Sequence, residues 1–336
     1  MITSKLSNLF CIRYSLNDIK FLNELINSGM PIKNCLDIIS TKKTEKISKE
    51  IINSLDNGDL FEDVIINYIP NNLSKYFSKL IKQLGFNKTI KIVLDIVETR
   101  KKNIDSVISK AIYPIILMFV SMTALIIFDK FGLDSIISLM SSFIDDFSAV
   151  YLFRTIFSFL SFVICLLLII IGILTVAIIF FNKGVYIYKL FNKYFPNSII
   201  NTYFTNEFIS LYLIIFNNGY KTRETLNIIK DLDNVPISAF MADEILLGLE
   251  AGDGFISSFD SLYFDKSFSK YLSVASFSNS YSNILEKYCE YASLKVISFI
   301  KSFTAFIQGT SYVVIGFIII FVYELLFMPM QAITGF

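Results

Sequence analysis

The 336-residue sequence has no histidine, and its four cysteines, Cys11, Cys35, Cys165 and Cys289, form no C-x-x-C pair. Zinc ligation, haem attachment and imidazole acid–base chemistry therefore lack their parts, and buried, reduced thiols are the default. The sequence also has no G-x-x-x-x-G-K-[ST], no G-x-G-x-x-G and no G-x-S-x-G. Nucleotide binding, dinucleotide binding and a nucleophile elbow are thus unsupported, and any mechanical energy has to come from another protein. Positive charge is not in excess either: 30 Lys and Arg stand against 29 Asp and Glu, a net +1. That removes a global electrostatic argument for nucleic acid. Between Met1 and Lys20 polar residues recur throughout, so no cleavable signal is expected and the N-terminus stays on the side where it is made.

What the chain has in quantity is apolar surface. Hydrophobic residues make up 54% of it and mean hydropathy is +0.59, yet 18% of residues are charged. Membrane segments joined to polar domains fit both facts. Three stretches, 111–128, 155–181 and 311–328, are long and apolar enough to cross a bilayer, which takes about 20 residues. The middle one has no charged residue and exceeds the minimum, so it tilts or protrudes. Pro114 is expected in the first helical turn of the first crossing, where its missing N–H costs little.

Orientation follows from the basic residues beside the crossings. Arg100, Lys101, Lys102 and Lys110 precede the first, Lys183, Lys189 and Lys193 follow the second, and Lys295 and Lys301 precede the third. The loop between the first two carries only Lys130 and Arg154, together with Asp129, Asp134, Asp145 and Asp146. This loop is expected outside, and residues 1–110 and 182–310 inside. Within it, Leu133, Ile136, Ile137, Met140, Phe143, Ile144 and Phe147 recur at helical spacing, predicting an amphipathic segment flat on the membrane surface. Its acidic polar face leaves shielding or partner contact as its role.

The two inside regions match each other. Ser28-Gly29-Met30 through Leu36-Asp37-Ile38-Ile39 aligns with Asn218-Gly219-Tyr220 through Leu226-Asn227-Ile228-Ile229 at constant offset. Leu55, Gly58, Asp59, Phe61 and Ile65 recur as Leu249, Gly252, Asp253, Phe255 and Phe259, preceded by Ile47 and Ile51 against Met241 and Ile245. A looser match sets 86–94 against 277–285. Abundant Ile, Leu, Phe and Asn produce some coincidence, but turn glycines and core positions fall in one order, which favours a duplicated domain. Two copies in the same orientation, each ending in an outward helix, need one return crossing, and 155–181 supplies it.

Each copy reads as a bundle of short helices. Ser15 with Asp18 makes a capping-box start for a helix with an apolar stripe of Leu16, Ile19, Leu22 and Ile26, and Gly29 ends it. Thr44 is expected to cap the helix ending at Gly58; residues 71–84 form another helix, and a long one from Lys88 runs toward the membrane. No alternating strand pattern persists, so the chain is expected to be all-α. Gly58-Asp59 and Gly252-Asp253 admit a metal-carboxylate reading, outweighed by one in which each Gly is a helix C-cap and each Asp caps the next helix. Glu324 stands inside the third apolar stretch, where a charge costs at least ~2.5 kcal/mol at mid-depth. It either meets a basic group of a membrane-embedded partner or another copy, or lies near the outer interface, protonated or snorkelling, beside Tyr323.

These features together resemble the inner-membrane platform protein of type IV pilus and type II secretion machines. The Gly-x-Pro-x-x-x-x-Leu run from Gly29 to Leu36, the Leu-x-x-Gly-Asp-x-Phe runs at Leu55 and Leu249, and Tyr113-Pro114 at the first crossing carry the resemblance. It covers residues 16–128 and 204–328, and the absence of a longer N-terminal extension places it nearest the short type IVb pilus platforms. The resemblance implies an all-α polytopic membrane protein with two homologous cytoplasmic bundles and three transmembrane helices. Its parts are then a first bundle at 1–110, crossings at 111–129, 155–181 and 311–328, a periplasmic segment at 130–154, a second bundle at 182–310 and a periplasmic tail at 329–336. It further implies a non-enzymatic, homo-oligomeric scaffold in the bacterial inner membrane, without cofactor or metal. Its partners would be a hexameric assembly ATPase, pilin subunits and other inner-membrane assembly proteins. The chain departs from the family where a Gly-Glu pair often precedes the last cytoplasmic helix of each copy: Gly85-Phe86 and Ser276-Phe277 stand there instead. A transporter or channel subunit is the alternative, and it predicts polar stripes on the crossings. A prepilin-processing aspartyl protease needs two facing intramembrane Asp residues, and no second Asp lies at depth.

Overall fold

Ser15 opens the first helix among the described residues with both halves of a capping box: its hydroxyl accepts from the Asp18 N–H at 3.2 Å, and the Asp18 carboxylate accepts from the Ser15 N–H at 2.8 Å. The structure, a computed structural model, describes residues 13–140, 184–195, 197–259, 263–277 and 281–334, with 151, 154, 155, 158, 159 and 162 besides. Among these the fold is all-α, with no strand. Residues Met1–Asn103 with Tyr188–Ser293 form one compact unit, and Ile104–Ile187 with Leu294–Phe336 the other.

Among the described residues the first unit holds, in order, α1 (Leu16–Asn27), α2 (Ile32–Ile39), α3 (Glu45–Asp56), α4 (Phe61–Ile65), α5 (Asn71–Leu84) and the start of α6 (Phe86–Ile127). After α7 (Leu133–Met140) and α8 (Gly184–Tyr194), the same order returns. α9 (Ile199–Asn217), α10 (Thr222–Lys230) and α11 (Pro236–Glu250) stand where α1, α2 and α3 stood. The 3-10 turn Ser257–Phe259, α12 (Lys266–Ser276) and α13 (Tyr281–Thr334) then follow as α4, α5 and α6 did.

Equivalent positions do equivalent work. Ile19, Leu22, Leu36 and Ile51 are buried in the first copy, and Ile209, Tyr212, Leu226 and Ile245 in the second, within one continuous apolar core. α9 is longer than α1 because the chain enters it earlier, and Thr205, at the position of the Ser15 cap, lies inside the helix. Its buried hydroxyl instead accepts from the Asp265 N–H at 3.0 Å, fixing the start of α12.

Two capping expectations fail. Thr44 occupies the N-cap of α3 but its side chain caps nothing; the hydroxyl turns back to accept from the Thr41 N–H at 2.9 Å. Thr44 is already in helical dihedrals, so its hydroxyl does not face the first free N–H groups of the helix. Asp59 likewise does not cap α4: the N-cap is Leu60 and no side-chain bond is made there.

The second unit contains the C-terminal parts of α6 and α13. Pro114 is no helix start, since α6 begins at Phe86 and passes through it. A proline inside a helix removes one N–H from the ladder, and such breaks are tolerated where packing supports the helix. α6 does not end in a loop either: the π-helical segment Phe128–Gly132 joins it to α7. Here a Cβ on Gly132 would stand 2.9 Å from the Phe128 ring, so glycine gives the turn its room. The Arg154 guanidinium donates to Asp134 at 2.9 Å and lies 3.7 Å from Asp129, so this cation is met by acids. Ser121 Oγ and Ser311 Oγ, on α6 and α13, are 3.2 Å apart. Phe143, Ile144 and Phe147, and nearly all of 155–181, lie outside the described residues.

Candidate functional site: the seam between the repeats

The glycines singled out in the sequence occupy matching backbone positions. Gly29 and Gly219 follow α1 and α9 with φ of +84° and +94°, and Gly58 and Gly252 follow α3 and α11, both at +92°. Each sits one residue past the helix cap, where a left-handed residue lets the chain leave the helix. Nothing approaches within 4 Å of the place a Cβ would occupy, so backbone conformation, not space, requires glycine here. Leu55 and Leu249, three residues earlier, pack against the core. Asp59 and Asp253 follow the glycines in the same turns, where their N–H groups bond the carbonyls of Ser54 and Gly248 at 3.1 and 3.0 Å. Among the described residues, no three His, Cys, Asp or Glu side chains are grouped to hold a metal.

Side-chain pairs repeat as well, and these were not read from the sequence. Lys33 on α2 pairs with Asp56 at the end of α3; in the second copy Arg223 on α10 pairs with Glu250 at the end of α11, at 3.7 Å. Both pairs are solvent-exposed, so each adds little stability. In the core, the Tyr14 hydroxyl and Ser48 Oγ are 2.7 Å apart, and Ser48 donates onward to the Leu36 carbonyl at 3.2 Å. The corresponding residues, Phe204 and Ala242, have both lost the hydroxyl. A buried hydrogen bond can be dropped cheaply only when both partners go together.

The copies meet within the first unit at a charged seam. Arg100 on α6 donates through Nε to Glu207 Oε1 on α9 at 2.9 Å, and through its terminal nitrogen to the Tyr76 hydroxyl on α5 at 3.2 Å. Lys79 on α5 reaches Asp233, beyond α10, at 3.0 Å. Lys88 lies 6.0 Å from the centre of the Tyr220 ring.

Glu207 is the one charged residue of α9, and its side chain is only 13% exposed. Burial pushes its carboxyl above the ordinary glutamate range, against the pull of the Arg100 charge. For Arg100, burial works against the charged form, but Glu207 and Tyr76 outweigh it and hold its pKa up. Tyr203 is pushed up to about 12, by burial first and by the Glu207 charge second. The seam is thus a salt bridge that fixes how two bundles face each other. Sequence reading missed it, although a lone carboxylate in the apolar run of α9 was a visible signal.

Glu324 lies within α13; its side chain is outside the described residues. One helix among those described, α9, is long and apolar enough to cross a membrane, but 56% of that window is buried in the bundle. Its residues Phe208, Ile209, Leu211 and Ile215 are buried in the apolar core. Compared with known protein families and with curated proteins, the chain matches none.

Proposed function

We propose that this protein is a polytopic membrane scaffold built by tandem duplication, acting as the inner-membrane platform of a type IV pilus or type II secretion machine. Both bundles face the cytoplasm, residues 111–129, 155–181 and 311–328 cross the bilayer, and 130–154 and 329–336 lie on the far side. The observation that carries this reading is the run of α6 and α13: each closes one copy of the bundle and continues as an unbroken helix into a strongly apolar stretch. Along those stretches Phe119 and Val120 of α6, and Ile319 and Ile320 of α13, are exposed. Rows of large apolar side chains on long helices call for a cover other than water.

A scaffold with two related bundles on one face can present related surfaces to a symmetric motor. The chain has no nucleotide-binding motif of its own, so a hexameric assembly ATPase supplies the work. The membrane helices then contact pilin subunits entering or leaving the filament base, with copies of this protein and other assembly proteins around them. Glu324, on the third crossing, is the candidate contact for a basic group of such a partner. Crosslinkers placed near Lys42 and Lys230 test the motor contact: adducts with the ATPase are expected. Absence of adducts from both sites, in cells still making filaments, contradicts it.

A further inference from the structure

α8 follows the uncharged stretch 155–181 with one intervening lysine, Lys183. Its inner face is fixed to the second bundle. Tyr188 and Asn192 are buried, the Tyr188 hydroxyl donates to the Tyr263 carbonyl at 2.6 Å, and the Tyr188 ring stands edge-on to Phe204 at 5.1 Å. The opposite face is open. Tyr186 is 67% exposed, Leu190 47% and Tyr194 68%. Tyr186, Leu190 and Tyr194 are successively one turn apart and so share a side of the helix. Beside them Lys189 and Lys193 are also exposed, with Lys189 Nζ 4.0 Å from the centre of the Phe240 ring.

Charge identifies the cover. Between the end of the 155–181 stretch and Glu207 the sequence has no acidic residue, while Lys183, Lys189 and Lys193 fall in that interval. An aromatic and aliphatic face edged by lysines matches the headgroup layer of a bilayer, where amphipathic rings settle at the interface and lysines reach phosphates. We propose that Tyr186, Leu190 and Tyr194 seat α8 in the membrane interface, with Lys189 and Lys193 on acidic phospholipid headgroups, so that the second bundle is held against the bilayer. This rests on the proposed function, in which residues 155–181 and 311–328 cross the membrane.

Because the chain has no tryptophan, one introduced tryptophan gives an unmixed signal. Three single variants of the full chain, Tyr194→Trp, Ile319→Trp and Phe277→Trp, are reconstituted in phosphatidylcholine vesicles with equimolar phosphatidylglycerol and brominated lipid. Ile319→Trp reports the crossing; Phe277, 91% exposed on the second bundle, reports water. The expected result is quenching and a blue-shifted emission for Tyr194→Trp as well as Ile319→Trp, with Phe277→Trp unquenched. Adding Lys189→Ala and Lys193→Ala should reduce seating by about fivefold per lysine, and only when phosphatidylglycerol is present. Leu190→Trp repeats the test should Tyr194→Trp perturb folding. An unquenched Tyr194→Trp beside a quenched Ile319→Trp overturns the seating and leaves the crossing reading intact; both unquenched overturns both. Blue-shifted emission without lipid quenching means that protein covers this face, by a second copy or another partner, and also overturns the proposal. So does quenching indifferent to phosphatidylglycerol and to the lysines.

Discussion

Arg100 Nε and Glu207 Oε1 stand 2.9 Å apart, and with that bond the last helix of the first repeat holds the first helix of the second. The carboxylate is enclosed and the guanidinium about one-third exposed, so the pair falls between two regimes. Glu207→Ala should cost more than the ~1 kcal/mol of an exposed pair and less than the ~3 kcal/mol of a fully enclosed one. A double-mutant cycle with Arg100→Ala in chemical denaturation measures the coupling. Additive single effects would mean that the seam is not held here.

The same carboxylate gives the seam a pH dependence with a definite sign. Its pKa in the folded protein is raised by burial from the ordinary 4.5, so between those values the folded state binds more proton than the unfolded. Its contribution to stability is full below the unfolded value and is lost as pH rises through the folded one. Glu207→Gln removes this term while keeping shape and an acceptor for Arg100. We expect the variant to be at least as stable as the parent at pH 7, with the difference vanishing as pH falls to the ordinary glutamate range. Melting curves across that interval check it; a variant markedly less stable at pH 7 would show that the ion pair, not burial, dominates.

The buried hydroxyl pair of the first copy should behave as the second copy already does. Ser48→Ala strands the Tyr14 hydroxyl in the core and should cost ~1–3 kcal/mol. Adding Tyr14→Phe recreates the Phe204 and Ala242 arrangement, so most of that loss should be recovered. Urea unfolding of the two single variants and the double gives the coupling. A double variant worse than Ser48→Ala would mean that the two sites are not structurally equivalent.

At Gly219 and Gly252 the backbone is left-handed, and alanine there should destabilise by ~1–2 kcal/mol, although the space is open. Gly309, inside α13 and equally unobstructed, should respond oppositely, with alanine gaining ~0.5–1 kcal/mol in the helix. Thermal denaturation of the three variants checks the contrast. Equal effects at all three would remove the conformational argument.

Much of this fold was legible because the features that set it are local. The Ser15 capping box, the helix-ending glycines and the spaced apolar residues of α1 to α3 act within a turn or two of the chain. Thr44 shows the limit: residue type identified a cap, but the dihedrals at that position decide where the hydroxyl faces. Pro114 shows another: the long helix expected from Lys88 toward the membrane is present as α6, and it leaves Pro114 in the helix interior, whereas treating the apolar stretch as a separate element puts it in a first turn. The seam was missed because Arg100 and Glu207 are far apart in sequence, and only packing brings them together. Glu324 drew attention as a charge in an apolar run, and Glu207 met the same criterion in α9. The repeated Lys33–Asp56 and Arg223–Glu250 pairs were visible as charges of matching sign, but only the structure shows that each closes the same corner.

The account depends most on two related bundles sharing one side of a membrane, and cysteine accessibility across that membrane tests it directly. Lys42→Cys, Ser141→Cys and Asp233→Cys, introduced one at a time, are probed with a membrane-impermeant maleimide in spheroplasts before and after permeabilisation. The account predicts that Ser141→Cys labels at once, while Lys42→Cys and Asp233→Cys label only after the membrane is opened. Ser141→Cys and Asp233→Cys reacting from the same side would contradict it.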